Sequence, residues 1–393
     1  MPSPAEPAPR RWLMLALGTA AQTAASTLLF GLPFLLPALR EEDQLTLAQA
    51  GALVAAPSLG LVLTLILWGA FADRYGERLA LWSGLGLTGV LALAAAPVDA
   101  PWARGLLLVL VGAAGASVNA ASGRLVMGWF GADQRGLAMG IRQMGQPLGV
   151  AVAALLLPPL ERAGGITLAL AVPAVLCLAV AALLLVLAAD PPRAEAAARD
   201  GARPRSPYRQ SWALARVHLA SALLVVPQFA TATFSAEYLV AQQHWDAAAA
   251  GRVLAVVALA GALGRLAVGR WSDLVGSRLR PMRQVALLSA LTMALVAVAI
   301  ENGSPLVLAA LAAASVVSVT DNGLGFTATA ELAGTAWSGR ALGTQNTAQN
   351  VAAFLTGPLV GALAGARGYG PAFAACVALP LLGACVVPVR AER

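Results

Sequence analysis

The chain is 393 residues long, carries a formal net charge of +7, and is 59% hydrophobic but only 11% charged. Soluble domains contain about 25% charged residues, so a water-soluble fold of this size would lack polar cover. All the basic residues are arginines, and they lie in short breaks between apolar runs instead of on one soluble face. This distribution argues against nucleic-acid binding and predicts an integral membrane protein surrounded by lipid.

Apolar runs follow one another along the whole chain, separated by charged residues, glycine and proline. Each is about 20 residues or longer, which suffices to cross ~30 Å of hydrocarbon as a helix. The first run is too long for the apolar region of a signal peptide. The runs predict an all-α membrane protein with transmembrane helices at residues 12–39, 48–72, 79–97, 105–130, 137–160, 166–189, 214–240, 247–272, 284–301, 305–330, 341–364 and 370–389.

A polar segment at residues 190–213 separates the first six predicted spans from the last six. It is rich in proline, arginine and alanine, a composition typical of a solvated linker. The predicted domains are an N-terminal tail at 1–11, a six-helix bundle at 12–189, this linker, a second six-helix bundle at 214–389, and a tail at 390–393.

Arginine placement predicts the orientation of the chain. Most arginines outside the spans fall in the two tails, the linker and the loops on the same side of the membrane. Basic residues stay on the cytoplasmic side of short loops. We therefore expect a multi-pass protein of the cytoplasmic (inner) membrane with both termini in the cytoplasm. The exceptions, on the outer side, are Arg40, Arg104, Arg162 and Arg367.

An internal repeat links the two predicted halves. The loop after the second span and the loop after the eighth share glycine, aspartate, glycine and arginine at a constant offset of 200 residues. A second set of matches includes Asn119 with Asn322 and Gln146 with Gln349, at an offset of 203. Two homologous six-helix halves explain both sets. The candidate gating residues in the two loops are Gly69, Asp73, Arg74, Gly76, Arg78, Gly269, Asp273, Gly276 and Arg278.

The first of these loops, G-x-x-x-D-R-x-G-x-R from Gly69 to Arg78, resembles the signature loop of the major facilitator superfamily. The resemblance covers essentially the whole chain through the repeat. It implies a secondary transporter in which two pseudo-symmetric six-helix bundles surround a central cavity and rock to expose it to either side. It also implies that spans one, four, seven and ten line the cavity, while two, five, eight and eleven slide at the bundle interface.

The residue types of the signature loop suit a gate. Gly69 lacks a side chain where two helices would approach, and Gly76 permits a tight turn. Asp73 at the membrane edge can accept hydrogen bonds from a neighbouring helix end and pair with Arg74 or Arg78. Contacts made in only one orientation would bias the equilibrium between orientations. The alternative is a charged loop that only fixes topology.

Four ionisable side chains inside predicted spans are candidates for function, because burying charge in a membrane is costly. Arg124, Arg142, Arg265 and Asp321 are predicted at similar depths from the cytoplasmic side. Their excess positive charge favours an anionic ligand, which arginine can hold with two parallel hydrogen bonds. Arg265, followed at four-residue steps by Gly269 and Asp273, resembles the eighth-span pattern of monocarboxylate and oxalate transporters, which implies that Arg265 meets a substrate carboxylate. Alternatively, the arginines extend toward the interface or pair with neighbours.

Asp321 is predicted to exchange protons with bulk water, with pairing to an arginine as the alternative. Neutral amides form the remaining candidates, because spacings of four residues align them along one helix face. They are predicted either to line a substrate path or to bond neighbouring helices. The amide candidates are Asn119, Gln143, Gln146, Asn322, Gln345, Asn346 and Gln349.

Other polar residues near span ends are expected to be solvated, namely Glu237, Glu331, His218 and His244. The sequence shows no metal-ligand cluster, phosphate loop or catalytic triad, so no cofactor, metal or enzymatic activity is expected.

Three functions are compatible with these patterns. The first is proton-coupled transport of a small organic or inorganic anion by alternating access, carried out by a monomer whose partners are the solute, protons and membrane lipid. The second is proton-driven efflux of amphipathic drugs, since Gly357 to Gly361 partly resembles the antiporter signature of drug exporters. The third is a membrane-bound enzyme or sensor that does not transport.

Overall fold

A computed structural model describes residues 8–42, 44–130, 138, 141–190, 206–209, 211–334 and 337–392. The side chains of Asp73 and Arg124, two candidate site residues, lie outside this description, as do most of the linker residues. Within the described ranges the chain is almost wholly helical and contains no strand. The predicted all-α class is therefore confirmed.

Thirteen α-helices of seven residues or more are described, and we number them in chain order. Three short 3-10 helices, at Leu32–Leu35, Pro207–Arg209 and Val389–Glu392, accompany them. The α-helices are α1 Ala8–Leu29, α2 Leu36–Glu42, α3 Leu47–Tyr75, α4 Glu77–Ala95, α5 Pro101–Trp129, α6 Gly145–Leu187, α7 Ala213–Ala241, α8 Ala247–Val275, α9 Leu279–Glu301, α10 Val307–Ser318, α11 Asp321–Ala333, α12 Ser338–Arg367 and α13 Tyr369–Val386.

Ten described segments are long and apolar enough to cross a membrane. One of them, Ile141–Leu187, is interrupted at Gly164 and Gly165, where Gly165 has a φ of 64°. This break separates predicted spans five and six, because a helix cannot continue through that backbone conformation. The 30-residue α12 falls outside the ten because its first half is rich in amides. With the break and α12 included, the described helices account for the twelve predicted spans.

The chain divides into two compact units. The first comprises Met1–Gly31 and Gly60–Gly201, and the second comprises Leu32–Leu59 and Ala202–Arg393. The segment Leu32–Leu59 belongs to the N-terminal half in sequence, yet its contacts group it with the second unit. This segment carries the end of the first span and the start of α3.

Small residues bring the helices of each unit close together. In the first unit, a Cβ atom at Gly60 would lie 1.9 Å from the carbonyl oxygen of Val109 on α5. In the second unit, a Cβ atom at Gly357 would lie 2.3 Å from the carbonyl oxygen of Gly51. Transmembrane helices gain stability from such close backbone packing, since lipid provides no hydrophobic driving force between them.

Candidate functional site

The first unit buries the guanidinium of Arg142 among neutral oxygen atoms. Its Nε and Nη2 donate to the hydroxyl oxygen of Ser122 at 3.1 and 2.6 Å. Nη2 also donates to the amide oxygen of Gln22 at 2.9 Å, and Nη1 donates to that of Gln143 at 2.9 Å. Only 8% of Arg142 is exposed. We call these four residues the Arg142 network.

No described carboxylate balances the charge in the Arg142 network. Among the described residues, no carboxylate forms an ion pair with Arg142. Gln22 extends the network by donating to Ser26 at 3.2 Å and to Asn119 at 3.4 Å. These partners supply oxygen atoms but no negative charge, so the guanidinium retains its capacity to attract an anion.

The second unit contains a related set of three amides. Asn322 on α11 donates to the amide oxygen of Gln228 on α7 at 2.9 Å, and Gln349 on α12 donates to the oxygen of Asn322 at 3.1 Å. In each unit, therefore, a glutamine on the first helix of a sequence half bonds the asparagine on the fourth span. Gln22 and Gln228 escaped the sequence analysis. Their position as polar residues deep within apolar runs is the signal that would have found them.

His218 is buried, so the prediction that it is solvated is wrong. Its Nδ1 lies 3.0 Å from the amide oxygen of Gln345, and its Nε2 lies 2.9 Å from the hydroxyl of Tyr208. Thr329 donates to the same amide oxygen. Because that oxygen only accepts, Nδ1 carries the hydrogen and Nε2 accepts from Tyr208. Tyr208 lies within the linker, and its position over α7 could not be read from the hydrophobic pattern.

Asp321 begins α11 and is 1% exposed. No other described residue donates a hydrogen bond to either of its carboxylate oxygens. The charge of Arg265 acts on this carboxylate without a direct ion pair between them. Arg265 instead donates from Nε to the carbonyl oxygen of Val319 at 2.9 Å, two residues before Asp321. The second unit thus places a cation, and a carboxylate without a hydrogen-bond donor from another described residue, at the break between α10 and α11.

The remaining candidate amides are less enclosed. Gln146 and Asn346 are half-buried, and Gln143 is exposed although it bonds Arg142. The described candidates divide between the two units: Asn119, Arg142, Gln143 and Gln146 lie in the first, and Arg265, Asp321, Asn322, Gln345, Asn346 and Gln349 in the second.

The first signature loop is fastened to the end of α6. Gly76 has a φ of 98°, and the backbone nitrogen of Arg78 donates to Asp190 at 2.8 Å. The guanidinium of Arg78 donates to the carbonyl oxygen of Leu185 at 2.5 Å, while that of Arg74 lies over the ring of Tyr75. A side chain at Gly76 would clash with Asp190, which explains the need for glycine there.

The second signature loop is fastened by Arg278. Its Nη1 donates to Asp273 at 2.5 Å, and its Nε donates to Glu331 at 3.3 Å. Burial alone would lower the pKa of Arg278, but these carboxylates outweigh burial and raise that pKa. Gly276 provides the turn with a φ of 63°. Glu331 was expected to be only solvated, and it instead ties α11 to this loop while remaining exposed.

The close approach of helices at the first glycine of each loop stays a prediction. A Cβ atom at Gly69 or Gly269 would meet no described atom within 4 Å. Gly76 and Gly276 have positive φ angles, which favour glycine. The backbone at Gly69 and Gly269 has no positive φ angle.

Glu237 is also buried, contrary to the expectation of interfacial solvation. It is 0% exposed and forms an ion pair with Arg40, which lies on α2 in the same unit. Arg40 was assigned from sequence only to the outer side of the membrane. The pairing depends on how α2 folds back against α7, which hydropathy does not report.

Helices of membrane-spanning length that bury arginine, carboxylate and amide side chains define the class of polytopic membrane transporters, in which such groups mark solute and ion pathways. Among the described residues, no group of histidine, cysteine or acidic side chains is arranged to hold a metal ion.

The chain belongs to the Major Facilitator Superfamily, whose sequence model matches residues 15–357. It is 43% identical over 380 residues to an uncharacterized MFS-type transporter of Mycobacterium tuberculosis strain H37Rv, covering 97% of this chain and 85% of that protein. The corresponding protein of strain CDC 1551 matches equally. The chain is therefore a multi-pass secondary transporter, and the predicted family is confirmed.

Solved structures share the fold. A bacterial homolog of the human lysosomal transporter Spinster, in an inward-facing and occupied conformation, has a TM-score of 0.81 at 15% identity and covers 97% of both chains. A variant of the nucleoside transporter NupG has a TM-score of 0.75 at 14% identity, with 97% of this chain and 99% of that chain covered. At these identities the likeness concerns the fold alone.

Proposed function

We propose that the protein transports a small organic or inorganic anion across the cytoplasmic membrane, coupled to protons, by alternating access. The observation that carries the proposal is the Arg142 network. Arg142 is a buried cation without a carboxylate partner among the described residues, which is costly in a membrane, and an anion that binds to it offsets that cost. The planar guanidinium of Arg142, already oriented by Ser122 and Gln22, suits a carboxylate or oxyanion.

Arg265 and Asp321 supply the proposed coupling. The carboxylate of Asp321 is buried without a hydrogen-bond donor from another described residue, and the positive charge of Arg265 is near enough to act on it. Binding of a proton removes the negative charge and leaves Arg265 available to an anion. Arg124 is proposed as a further anion ligand from its sequence position alone.

The signature loops are proposed to bias the conformational equilibrium. Arg278, held by Asp273 and Glu331, forms the latch of the second unit, and Arg78 with Asp190 forms that of the first. We further propose that both termini lie in the cytoplasm and that the monomer is the transporting species.

A thermal-shift screen of purified protein tests the anion proposal, because a ligand that binds the folded state raises its apparent stability. The probes are inorganic phosphate, sulfate, and mono- and dicarboxylates, each at two pH values. We expect an anion to raise the Tm of the parent protein and of Arg252→Gln, which alters an exposed arginine. Arg142→Gln removes the charge and should abolish the shift. An anion-induced shift that survives Arg142→Gln contradicts the proposal.

Drug efflux is the second candidate. Gly357 and Gly361, in the segment that resembles the antiporter signature, lie directly against the backbone of Gly51 and Leu47. Close packing at this position is compatible with an exporter. In the same screen, stabilisation by amphipathic cations but by no anion would favour this function, and Arg142→Gln would then leave the response unchanged.

A further inference from the structure

A polar pocket of about 450 Å³ lies in the second unit, at the end where α2 and α7 finish and α3 and α8 begin. It is separate from the break between α10 and α11 that holds Asp321. Its lining residues are Pro37, Arg40, Glu41, Gln44, Leu45, Glu237, Val240, Ala241 and His244.

Glu237 is the buried member of this lining. One of its carboxylate oxygens, Oε1, accepts from the guanidinium of Arg40. The other, Oε2, is inaccessible to solvent and has no hydrogen-bond partner among the described residues. A buried carboxylate oxygen without a donor is costly, so this atom has an unfilled capacity to bind a hydrogen.

The charged and titratable groups around Glu237 come from three places. Arg40 and Glu41 lie on α2, Tyr369 at the start of α13, and His244 after α7. The hydroxyl of Tyr369 is close enough to influence Glu237, although its geometry falls short of a hydrogen bond. One guanidinium thus faces two carboxylates, and the pocket favours an additional positive charge.

A proton fits this requirement better than a metal ion. The described residues contain no group of three or more histidine, cysteine or acidic side chains arranged around a common metal position. A proton needs only one oxygen atom.

We propose that Glu237 is a proton-binding site, distinct from Asp321, in which the proton displaces Arg40. Protonation converts the ion pair into a neutral carboxyl beside an arginine that is partly exposed through its side chain. Arg40 then turns toward solvent, and the contact that ties α2 to α7 is lost. The site depends neither on the identity of the transported solute nor on Asp321.

Infrared titration tests this site directly, because a protonated carboxyl has a carbonyl-stretching band that the carboxylate lacks. Purified protein in lipid vesicles is titrated from about pH 8 to about pH 5, the range around neutrality in which buried carboxyls titrate. We expect a band that grows as the pH falls and is missing in Glu237→Gln. The band should persist in Asp321→Asn and in the matched control Glu42→Gln, which alters an exposed carboxylate of α2 outside the pocket lining.

The variant Arg40→Gln provides a second, independent test of the Glu237 site. Without the guanidinium, the neutral carboxyl is favoured, so the band should appear at a pH higher by about one unit or more. Arg252→Gln, an exposed arginine, should leave the titration unchanged. The proposal is overturned if no band depends on Glu237, or if Arg40→Gln leaves its titration in place. Replacing sodium by choline should not alter the band, and a sodium-dependent change would assign the site to a metal cation instead.

Discussion

At the scale of single residues, the interior of each unit is organised by polar side chains that meet across helices. Arg142 is held by two amides and a hydroxyl, and His218 is held by an amide and a phenol. Each such bond between membrane helices contributes about 0.6 kcal/mol on average. Their larger effect arises when one partner is removed, because the remaining buried groups then lack partners.

His218 tests whether removing one partner costs more than a single hydrogen bond contributes. His218→Asn shortens the side chain, so Tyr208 and Gln345 lose their common partner, and we expect the free energy of unfolding to fall by about 1–3 kcal/mol. Thermal unfolding in detergent measures the change. His244→Asn is the matched control, since His244 is exposed and has a φ of 56°, a conformation that asparagine tolerates. Equal stability of the two variants would contradict a structural role for the His218 bonds.

The sequence did not predict which polar side chains pair with each other. Asn119 and Asn322 were selected because they match in the repeat, but their partners Gln22 and Gln228 were not. The pairing depends on the rotation of each helix about its axis, which an apolar run almost uniform around the helix does not specify. For the same reason Glu237 was assigned to the interface although it is buried against Arg40.

At the scale of helices, ends and close contacts are set by residues distant in the chain. The N-cap residue of α9, Arg278, gives no side-chain cap, although the hydroxyl of Ser277 accepts from the backbone nitrogen of Arg280 at 3.1 Å. Glu392, near the C-terminus, accepts from the backbone nitrogens of Arg278 and Leu279 at 2.7 and 2.9 Å. Asp190 performs the same role for α4 in the first unit through Arg78. Carboxylates at helix starts are favoured by the helix dipole.

The contact between the start of α3 and the second half of α12 can be tested with glycine substitutions. Gly357→Ala places a methyl group 2.3 Å from the carbonyl oxygen of Gly51, so the helices must separate. We expect the free energy of unfolding to fall by about 1–3 kcal/mol, as for other overpacked sites. Thermal unfolding again measures the effect.

Gly343→Ala is the control on the same helix. A Cβ atom there meets no described atom within 4 Å, and alanine favours helix over glycine by up to about 1 kcal/mol. Its stability should therefore equal or exceed that of the parent. If Gly357→Ala were also neutral, the backbone contact would not contribute to the packing of α3 on α12.

At the scale of the whole molecule, the order of apolar runs determines how the chain threads the membrane. The described helices follow the predicted spans in order, with the fifth and sixth joined in one helical stretch that breaks at Gly164 and Gly165. The bundle boundaries remain a prediction, while the contacts assign residues 32–59 to the second unit.

The orientation of the chain is a prediction at this scale. Arginine asymmetry places both termini in the cytoplasm. Green fluorescent protein fused after Arg393 should fluoresce, and alkaline phosphatase fused there should be inactive. Phosphatase fused after Glu42, in the first predicted outer loop, should be active. The reverse activities would invert the topology and place the Glu237 pocket on the cytoplasmic side.

The sequence by itself determined the membrane class, the order of the spans, the two-fold repeat and the family. In lipid every backbone polar group must be satisfied within its own helix, so a run of apolar residues is sufficient to predict a span. The tertiary structure decided which polar residues meet: Arg142 with Gln22, His218 with Tyr208, and Glu237 with Arg40. These pairs depend on helix rotation, breaks and crossing positions, which are set by packing between segments far apart in the chain.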